Sequence, residues 1–212
     1  MENKKIILSF LSMVFSILLL AASVFAWFTL QSQTRIDEIV LNVNNLKSEI
    51  KLEVSKNDGE FIELIEKQDF DALFGNSVPS DKFHFRLTIT NKSSKETNLK
   101  VVLSSIYSDN VNEGFDMRNV FYIEDGVVTI NGIGKVLEIN EEELDKLFDQ
   151  ELNLYNFNNL ISNNNITILE NYNFEIKESV IIEFKIIYDH NTSRIEYQDG
   201  KLSIGSINIH NN

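Results

Sequence analysis

Apolar and polar residues alternate along much of the chain after residue 35, and this alternation predicts β-strands. In FHFRLTIT the apolar positions Phe83, Phe85, Leu87 and Ile89 are separated by single polar residues. A two-residue repeat places all four apolar side chains on one face of an extended strand. The same alternation recurs in LKSEIKLEV, in LKVVLSSIY and in YNFEIKE. The pattern therefore predicts antiparallel sheets in which one face of each strand is exposed to solvent and the other is buried.

Strand content and turn residues together predict an all-β fold. The run VIIEFKIIY at 180–188 is more uniformly apolar, which is typical of a strand in the middle of a sheet. Asp125-Gly126 and Asp199-Gly200 each separate two such runs, and Asp-Gly supplies the positive φ angles of tight hairpin turns. About nine candidate strands of this kind predict a two-sheet β-sandwich or jelly roll.

One or two short helical insertions are expected between the strands. Asn140 is a candidate N-cap, and Glu143 stands three residues later as the acid of a capping box. One helical face then carries Leu144, Leu147, Phe148 and Leu152. A second short helix or turn is expected in DFDALFGN, with Gly75 at its end. The Asn-rich stretch LNLYNFNNLISNNN after residue 151 is expected to be a long surface loop, because Asn tolerates irregular backbone angles.

The chain begins with an apolar segment that is expected to form a helix. Lys4 and Lys5 precede it, and no charged residue follows until Arg35. Basic residues before an apolar run hold that end in the cytoplasm, so the rest of the chain is expected on the outer face of a bacterial membrane. Residues 6–28 are therefore the part of the chain that is expected to contact the membrane.

Two fates are open to this apolar segment. Val24 and Ala26 form a small-residue site for signal peptidase, whose cleavage would leave Trp27 as the first residue of a secreted chain. The run also exceeds the ~20 residues that span a bilayer, so an uncleaved transmembrane helix is the alternative. The expected domains are a signal peptide or membrane anchor at 1–26, an extended mature N-terminus at 27–43 and a β-sandwich domain at 44–212.

Charge and cysteine content narrow the choice of partners. The 212 residues carry a formal net charge of -13, so the phosphate groups of nucleic acid would repel the protein. The chain contains no Cys, which excludes a disulfide framework and a Cys-based zinc site. We therefore expect no nucleic-acid partner, and we expect the exported domain to be held together by its apolar core alone.

Three segments combine motifs that occur together in a known family. In AASVFAWFTLQSQT a small residue precedes an aromatic pair and a polar stretch, as at a signal-peptide junction. In SVPSDKFHFRLTITNKSSKETNLKVVL a Pro-containing turn precedes two strands. IKESVIIEFKIIYDHNTSRIEYQDGKLSIGSINIH has the pattern of a C-terminal hairpin. In this order the segments resemble the TasA and camelysin family of secreted Gram-positive biofilm-fibre proteins, although the usual Gly after the Pro is Ser80 here.

The resemblance implies a jelly-roll subunit that donates its extended N-terminus to the sheet of a neighbouring copy. Main-chain hydrogen bonds hold an added strand of this kind, and its alternate side chains fill pockets. The donated piece would run from residue 27 to residue 43, and an ordinary first strand folded back on its own sheet is the alternative. Its alternating apolar positions are Phe28, Leu30, Ile39, Leu41 and Val43.

Neither a catalytic centre nor a metal site is expected. The histidines His84, His190 and His210 are far apart in sequence and do not form the paired-His pattern of zinc proteases. The acidic clusters 109–113 and 141–143 lack the ligand spacing of a calcium loop, and we expect a solvated loop and a helix N-terminus there. The chain is therefore expected not to be an enzyme and to use no cofactor.

The sequence thus supports two functions of different classes. The first is an exported structural protein, a fibre subunit or biofilm-matrix component of the cell surface that self-associates through β-strand addition. The second is a membrane-anchored extracellular module that binds a ligand or another surface protein as a monomer. Cleavage of the apolar segment discriminates between them, because strand donation needs a free N-terminus.

Overall fold

The computed structural model of the protein describes residues 13–19, 35–36, 40–44, 48–65, 69, 73–74, 77–109, 116–139, 153–189, 197 and 200–211. Its strands form two sheets, called sheet I and sheet II. Sheet I contains β1 (Arg35–Ile36), β2 (Val40–Asn44), β6 (Thr97–Ser108), β9 (Ile166–Phe174) and β11 (Lys201–Asn211). Sheet II contains β3 (Ser48–Lys56), β4 (Ile62–Glu63), β5 (Lys82–Asn91), β7 (Phe121–Ile130), β8 (Ile133–Val136) and β10 (Ser179–Tyr188).

The strand order brings the two ends of the described chain together in sheet I. There β11 lies between β6 on one side and β1 and β2 on the other, and β9 forms the far edge. Sheet II has the order β4, β3, β5, β10, β7, β8, and all its pairs are antiparallel. β10 lies in the middle of this sheet, which confirms the central position predicted from its apolar sequence.

One apolar core lies between the two sheets. In β5 the residues Phe83, Phe85, Leu87 and Ile89 are all at most 1% exposed, as the alternation predicts. The same buried cluster contains residues of β6 and β11 from sheet I and of β5 and β10 from sheet II. Stacked sheets lie about 10 Å apart, a distance that one layer of interdigitating side chains fills. The prediction of a mostly β protein with two sheets is therefore confirmed.

Aromatic rings occupy the middle of this core. Phe85 of β5 stacks on Phe184 of β10 with 5.0 Å between the ring centroids. Phe74 packs against Phe83 at 4.8 Å. Residues 73–74 are helical and buried, so the short helix or turn expected in DFDALFGN is confirmed at these positions. Large buried rings supply much of the apolar area of a core, and here they link a helical segment to both central strands of sheet II.

The prediction that Asp125-Gly126 forms a hairpin turn is wrong. β7 continues through both residues, and its pairing with β10 shifts register at this point. The φ angles of Asp125 and Gly126 are 54° and 63°, so the dipeptide forms a β-bulge inside the strand. The tight turn lies at Asn131-Gly132 instead, where both φ angles are also positive, and it joins β7 to β8. Bulges and hairpin turns both use positive φ angles, and the sequence signal does not separate them.

The prediction of a single strand through YNFEIKE is correct only for its first half. β9 ends at Phe174 and β10 begins at Ser179. Between these strands Ile176 is 46% exposed and Lys177 has a φ angle of 63°. These residues form the turn between β9 and β10. The apolar alternation continues into the turn by chance, since the side chain of Ile176 does not enter the core.

The prediction of a long surface loop after residue 151 is wrong for residues 156–161, which are mostly buried, whereas residues 162–165 form a turn that is exposed or half-exposed. Phe157–Leu160 form one helical turn, and Phe157 is fully buried. Asn156 caps this turn by accepting a hydrogen bond from Asn159 N. Asn159 in turn donates to Leu154 O at 2.7 Å. Asn therefore acts here as a cap and as a buried hydrogen-bonding residue, rather than as a marker of exposed backbone.

Two predicted elements fall wholly or mostly outside the described residues. The amphipathic helix predicted from residue 140 to residue 152 lies outside them, and so does Asp199 of the second predicted hairpin turn. Of the N-terminal apolar segment, residues 13–19 are described and are helical. No helix among the described residues is long and apolar enough to cross a membrane.

Ser80 occupies a backbone position that favours glycine. Asp81 N donates to Val78 O at 3.0 Å, Pro79 is the second residue of this turn, and Ser80 has a φ angle of 80°. This is a type II turn, which requires a positive φ angle at its third residue. We expect Ser80→Gly to raise the free energy of unfolding by about 0.5–1 kcal/mol, because glycine adopts this conformation without steric cost. Urea denaturation measures the change. Ser80→Ala keeps the Cβ and is the matched control, so an equal effect of both substitutions would refute this account.

Candidate strand-addition edge

β1 and β2 lie along the outer edge of β11, the last strand of the described chain. Arg35 pairs with Lys201, and Val40 pairs with Ser206. From the first pair to the second, the chain advances five residues both in β1–β2 and in β11, so β1 and β2 follow one register. Both run parallel to β11, whereas the other pairs of described strands are antiparallel. β1 and β2 are called the edge strand below.

The edge strand pairs with the buried apolar residues of β11. Leu202, Ile207 and Ile209 of β11 are fully buried in the core. Their partners in the edge strand are Ile36, Leu41 and Val43. The register therefore sets three apolar residues of the edge strand beside three apolar core residues of β11.

A short connection joins the edge strand to the rest of the protein. β2 ends at Asn44 in sheet I, and β3 begins at Ser48 in sheet II. Residues 45–47 separate the two strands, so the chain passes from one sheet to the other within three residues. A short connection of this kind favours exchange of the element that precedes it between copies of a protein.

The other edges of the two sheets are poor templates for an added strand. β4 and β8, the edges of sheet II, have two and four residues. β9, the far edge of sheet I, pairs with β6 through two register shifts and contains Asn171 at a φ angle of 56°. Short and bulged edges resist pairing with another chain. Among the described strands, β11 offers a long edge of eleven residues, and the described edge strand pairs with seven of them.

Two of the predicted donor-strand residues are described. Leu41 and Val43 both lie in β2. The structure contains one chain, so it pairs this strand with the chain's own sheet. The remaining predicted site residues lie outside the described residues, namely Phe28, Leu30 and Ile39 of the donor strand and Val24, Ala26 and Trp27 of the cleavage site.

The pairing of the N-terminal segment with β11 was not predictable from the sequence. KLSI was expected to be a strand, and β11 begins with these residues. A parallel neighbour leaves no turn signal between the two strands, since they are separated by almost the whole chain. Apolar alternation was the one available signal, and it is shared by every strand of the protein.

The two described histidines lie on different sheets. The ring of His84 packs edge-on against Phe61 at 5.0 Å, and its Nε2 atom lies 3.7 Å from Glu183. Burial lowers the pKa of His84, and the Glu183 carboxylate acts against this shift. His210 lies on β11 in sheet I, and His190 is outside the described residues. In the described part of the chain, no three His, Cys, Asp or Glu residues converge as metal ligands would.

The predicted acidic clusters are described at one residue. Asp109 accepts a hydrogen bond from Lys201 N at 2.7 Å and so holds the start of β11. Residues 110–113 and 141–143 lie outside the described residues.

A buried carboxylate that the sequence analysis missed has a structural role. Asp116 precedes the 3-10 turn Met117–Asn119, and both its oxygens accept hydrogen bonds from Arg118 Nε at about 3 Å. Asn158 Nδ2 donates to the same carboxylate at 3.1 Å. Burial raises the pKa of Asp116, but the hydrogen bonds from Arg118 and Asn158 outweigh it and bring the pKa below its usual value. The carboxylate therefore stays ionised and clamps this turn to the helical turn at Phe157–Leu160.

The fold and this edge together define a two-sheet β protein with a candidate site for strand addition. Comparison of the chain with family models, with curated proteins and with solved structures finds no match.

Proposed function

We propose that the protein is an exported structural subunit with a jelly-roll fold, similar to the TasA family, that self-associates at the cell surface by β-strand addition. The edge strand of one copy would pair with β11 of the next. The observation that carries the proposal is the single parallel register between residues 35–44 and β11. Such an assembly exchanges an N-terminal strand that lies at a sheet edge and is joined to the rest of the chain by a three-residue connection.

Exchange between copies would conserve the contacts of the edge strand. The same main-chain hydrogen bonds and the same partners on β11 form whether the strand comes from the same chain or from another one. Each copy then gives a strand through one surface and accepts a strand through a different one. A contact between two different surfaces repeats without closing, unless its rotation happens to form a ring, and so produces a fibre.

The edge strand also explains why the acceptor edge stays protected before assembly. Without it, β11 would expose a row of unpaired main-chain groups beside the core residues Leu202, Ile207 and Ile209. Such an edge pairs indiscriminately with other strands. Pairing within the chain keeps the subunit soluble until a neighbour's strand replaces its own.

The second candidate is a membrane-anchored extracellular binding module that acts as a monomer. The pairing of the edge strand within one chain favours it, since a strand that never leaves its own sheet needs no neighbour. In that case residues 1–26 would remain as the anchor. The two candidates therefore differ in whether the edge strand exchanges.

Truncation tests the proposal directly. We expect a chain that begins at Trp27 to form filaments visible by electron microscopy, and a chain that begins at Asn45 to form none, because the second chain has lost the edge strand. Circular dichroism checks that the shorter chain is folded. Filaments of the shorter chain would refute strand exchange.

A disulfide lock gives a second test that does not depend on the truncated chain. Val40→Cys and Ser206→Cys place the two Cys at partner positions of neighbouring strands, which lie about 4.8 Å apart and fit a disulfide. The chain has no other Cys, so the lock is the single disulfide that can form. We expect monomers oxidised before assembly to form no filaments. Filaments assembled under reduction and then oxidised are expected to give covalent ladders on a non-reducing gel. Oxidation to monomers alone would instead support the monomeric module. Each single-Cys variant has one thiol per chain and can link no more than two chains, so it is the control that gives no ladder.

A further inference from the structure

On the outer face of sheet II, charged side chains form ion pairs with one another. Arg86 Nε donates to Glu183 at 2.7 Å, and Glu124 pairs with Lys185 at 3.0 Å and with Lys82 at 3.3 Å. Burial raises the pKa of Glu124, but the hydrogen bonds from the two lysines outweigh it and bring the pKa below its usual value. Charged groups that pair across strands leave little hydrogen-bonding capacity for a ligand.

The outer face of sheet I is different, because a cleft lies over it. The cleft has a volume of about 790 Å³ and is formed by β6, β9 and β11 together with residues 135–139 and part of 160–165. Sites that enclose small molecules typically have volumes of roughly 300–1,000 Å³. The size of the cleft is therefore sufficient for a ligand of several rings.

Polar residues of neighbouring strands form rows across the floor of this cleft. His210 of β11 pairs with Lys100 of β6, and Ser104 of β6 pairs with Ser206, which does not itself line the cleft. Between these rows, Val102 is the partner of Asn208 on one side and of Thr167 on the other.

Several hydrogen-bonding groups in the cleft are not used by the protein. Asn208 lines the cleft and its Nδ2 donates to Ser104 Oγ at 2.9 Å, while its side-chain oxygen accepts no hydrogen bond within the described chain. The side chains of Ser105, Thr167 and His210 make no hydrogen bond within the described chain. These groups are amides, hydroxyls and an imidazole, which can each offer a donor or an acceptor.

The charges in the cleft cancel. Lys100 Nζ donates to Glu170 Oε1 at 2.7 Å, and this hydrogen bond lowers the pKa of Glu170. The cleft is lined by one further cation, Lys135, and one further anion, Glu138. A ligand with a large charge of either sign would therefore find no matching field, whereas a neutral polar ligand needs no charged partner and can offset its desolvation with hydrogen bonds to the cleft.

We infer that this cleft binds a neutral oligosaccharide. Sugar hydroxyls donate and accept hydrogen bonds at once, which matches the amide and hydroxyl rows of the cleft floor. The cleft is also lined by Val136, which is 56% exposed, and on which the apolar face of a sugar ring can pack. The inference does not depend on strand exchange, because the cleft is complete in a single chain.

Titration of the full chain with cellotetraose, chitotetraose and maltotetraose tests the inference. The chain is kept in a zwitterionic detergent without a sugar headgroup, and binding is followed by isothermal titration calorimetry and saturation-transfer NMR. We expect saturable binding of at least one tetrasaccharide, with little change between low and high salt. Thr167→Val and Asn208→Ala each remove one hydrogen-bonding group and should weaken binding about three- to tenfold.

Thr88→Val on the outer face of sheet II is the matched control, and it should leave the affinity unchanged. Thermal denaturation checks that all three variants are folded. Three outcomes overturn the inference: no binding of any tetrasaccharide, affinity that neither cleft variant lowers, or a preference for the anionic tetragalacturonate that salt abolishes.

Discussion

Asn91→Asp is expected to lower the free energy of unfolding by about 3 kcal/mol or more at neutral pH. Asn91 is 1% exposed, and its Nδ2 donates to the carbonyl oxygens of Lys95, Phe174 and Glu175 at 3.0–3.2 Å. Its Oδ1 accepts hydrogen bonds from Ser93 N and Oγ. A carboxylate has no donor, so the substitution would remove these three hydrogen bonds and place a buried charge beside the carbonyl oxygens that accepted them.

The destabilisation of Asn91→Asp should depend on pH in a defined direction. Burial and the three carbonyl oxygens would raise the pKa of the new carboxyl group in the folded state above its unfolded value. Such a group costs least stability below its unfolded pKa, and the cost grows as the pH rises towards and through the folded pKa. Urea denaturation at several pH values measures this, with Asn98→Asp at an exposed position of β6 as the control. Equal losses for the two variants would show that the Asn91 amide does not hold the end of β5 to the β9–β10 turn.

Gly126→Ala is expected to destabilise the protein by about 2–4 kcal/mol. Gly126 has a φ angle of 63° in the bulge of β7, where an L residue is strained. In addition, a Cβ at this position would overlap the ring of Tyr155, which packs directly on the glycine. Tyr155 packs against the core, and its carbonyl oxygen accepts a hydrogen bond from Ile123 N, so this contact cannot open freely.

Two further variants separate strain from steric overlap at Gly126. Gly132→Ala adds a Cβ at a φ angle of 80° with no atom within 4 Å, so it should cost only the backbone strain of about 1 kcal/mol. Combining Gly126→Ala with Tyr155→Ala should cost less than the sum of the two single changes, because removing the ring removes the overlap. Equal losses for the two glycine variants, or additive losses in the double variant, would show that the Tyr155 contact is unimportant. Thermal and urea unfolding give all four values.

Strands with a local signal were predictable from sequence. The alternation in β5 has the same period as the pleat of a strand, so it reports which side chains enter the core without reference to any neighbour. β3, β6 and β10 follow the same rule, and their positions agree with the prediction. Where the same residue types occur in several kinds of local structure, the kind of structure was not predictable. Asp125-Gly126 carries the signal of positive φ, and only the continuing pairing of β7 with β10 turns the expected hairpin into a bulge.

The candidate site was half predictable. The apolar alternation around Leu41 and Val43 indicated a strand at the N-terminus, and the structure has β2 there. Its partner β11 was not predictable, because every strand of the protein has similar alternation and the parallel pairing spans almost the whole chain. The cleft on sheet I was not predictable for the same reason. Asn208, Thr167 and Ser104 come from three distant strands, and their placement on one face depends on register.

The sequence by itself determined the strand content, the faces that are buried, the acidic charge and the absence of cysteine chemistry. These properties depend on residue type and on spacing along the chain. The tertiary structure alone decided which strands are neighbours, which edge the N-terminal segment covers and which polar residues line the cleft. The physical reason is that sheet pairing uses main-chain hydrogen bonds, which are the same for every residue type. The choice among alternative partners is therefore made by the packing of the whole core and not by any local sequence.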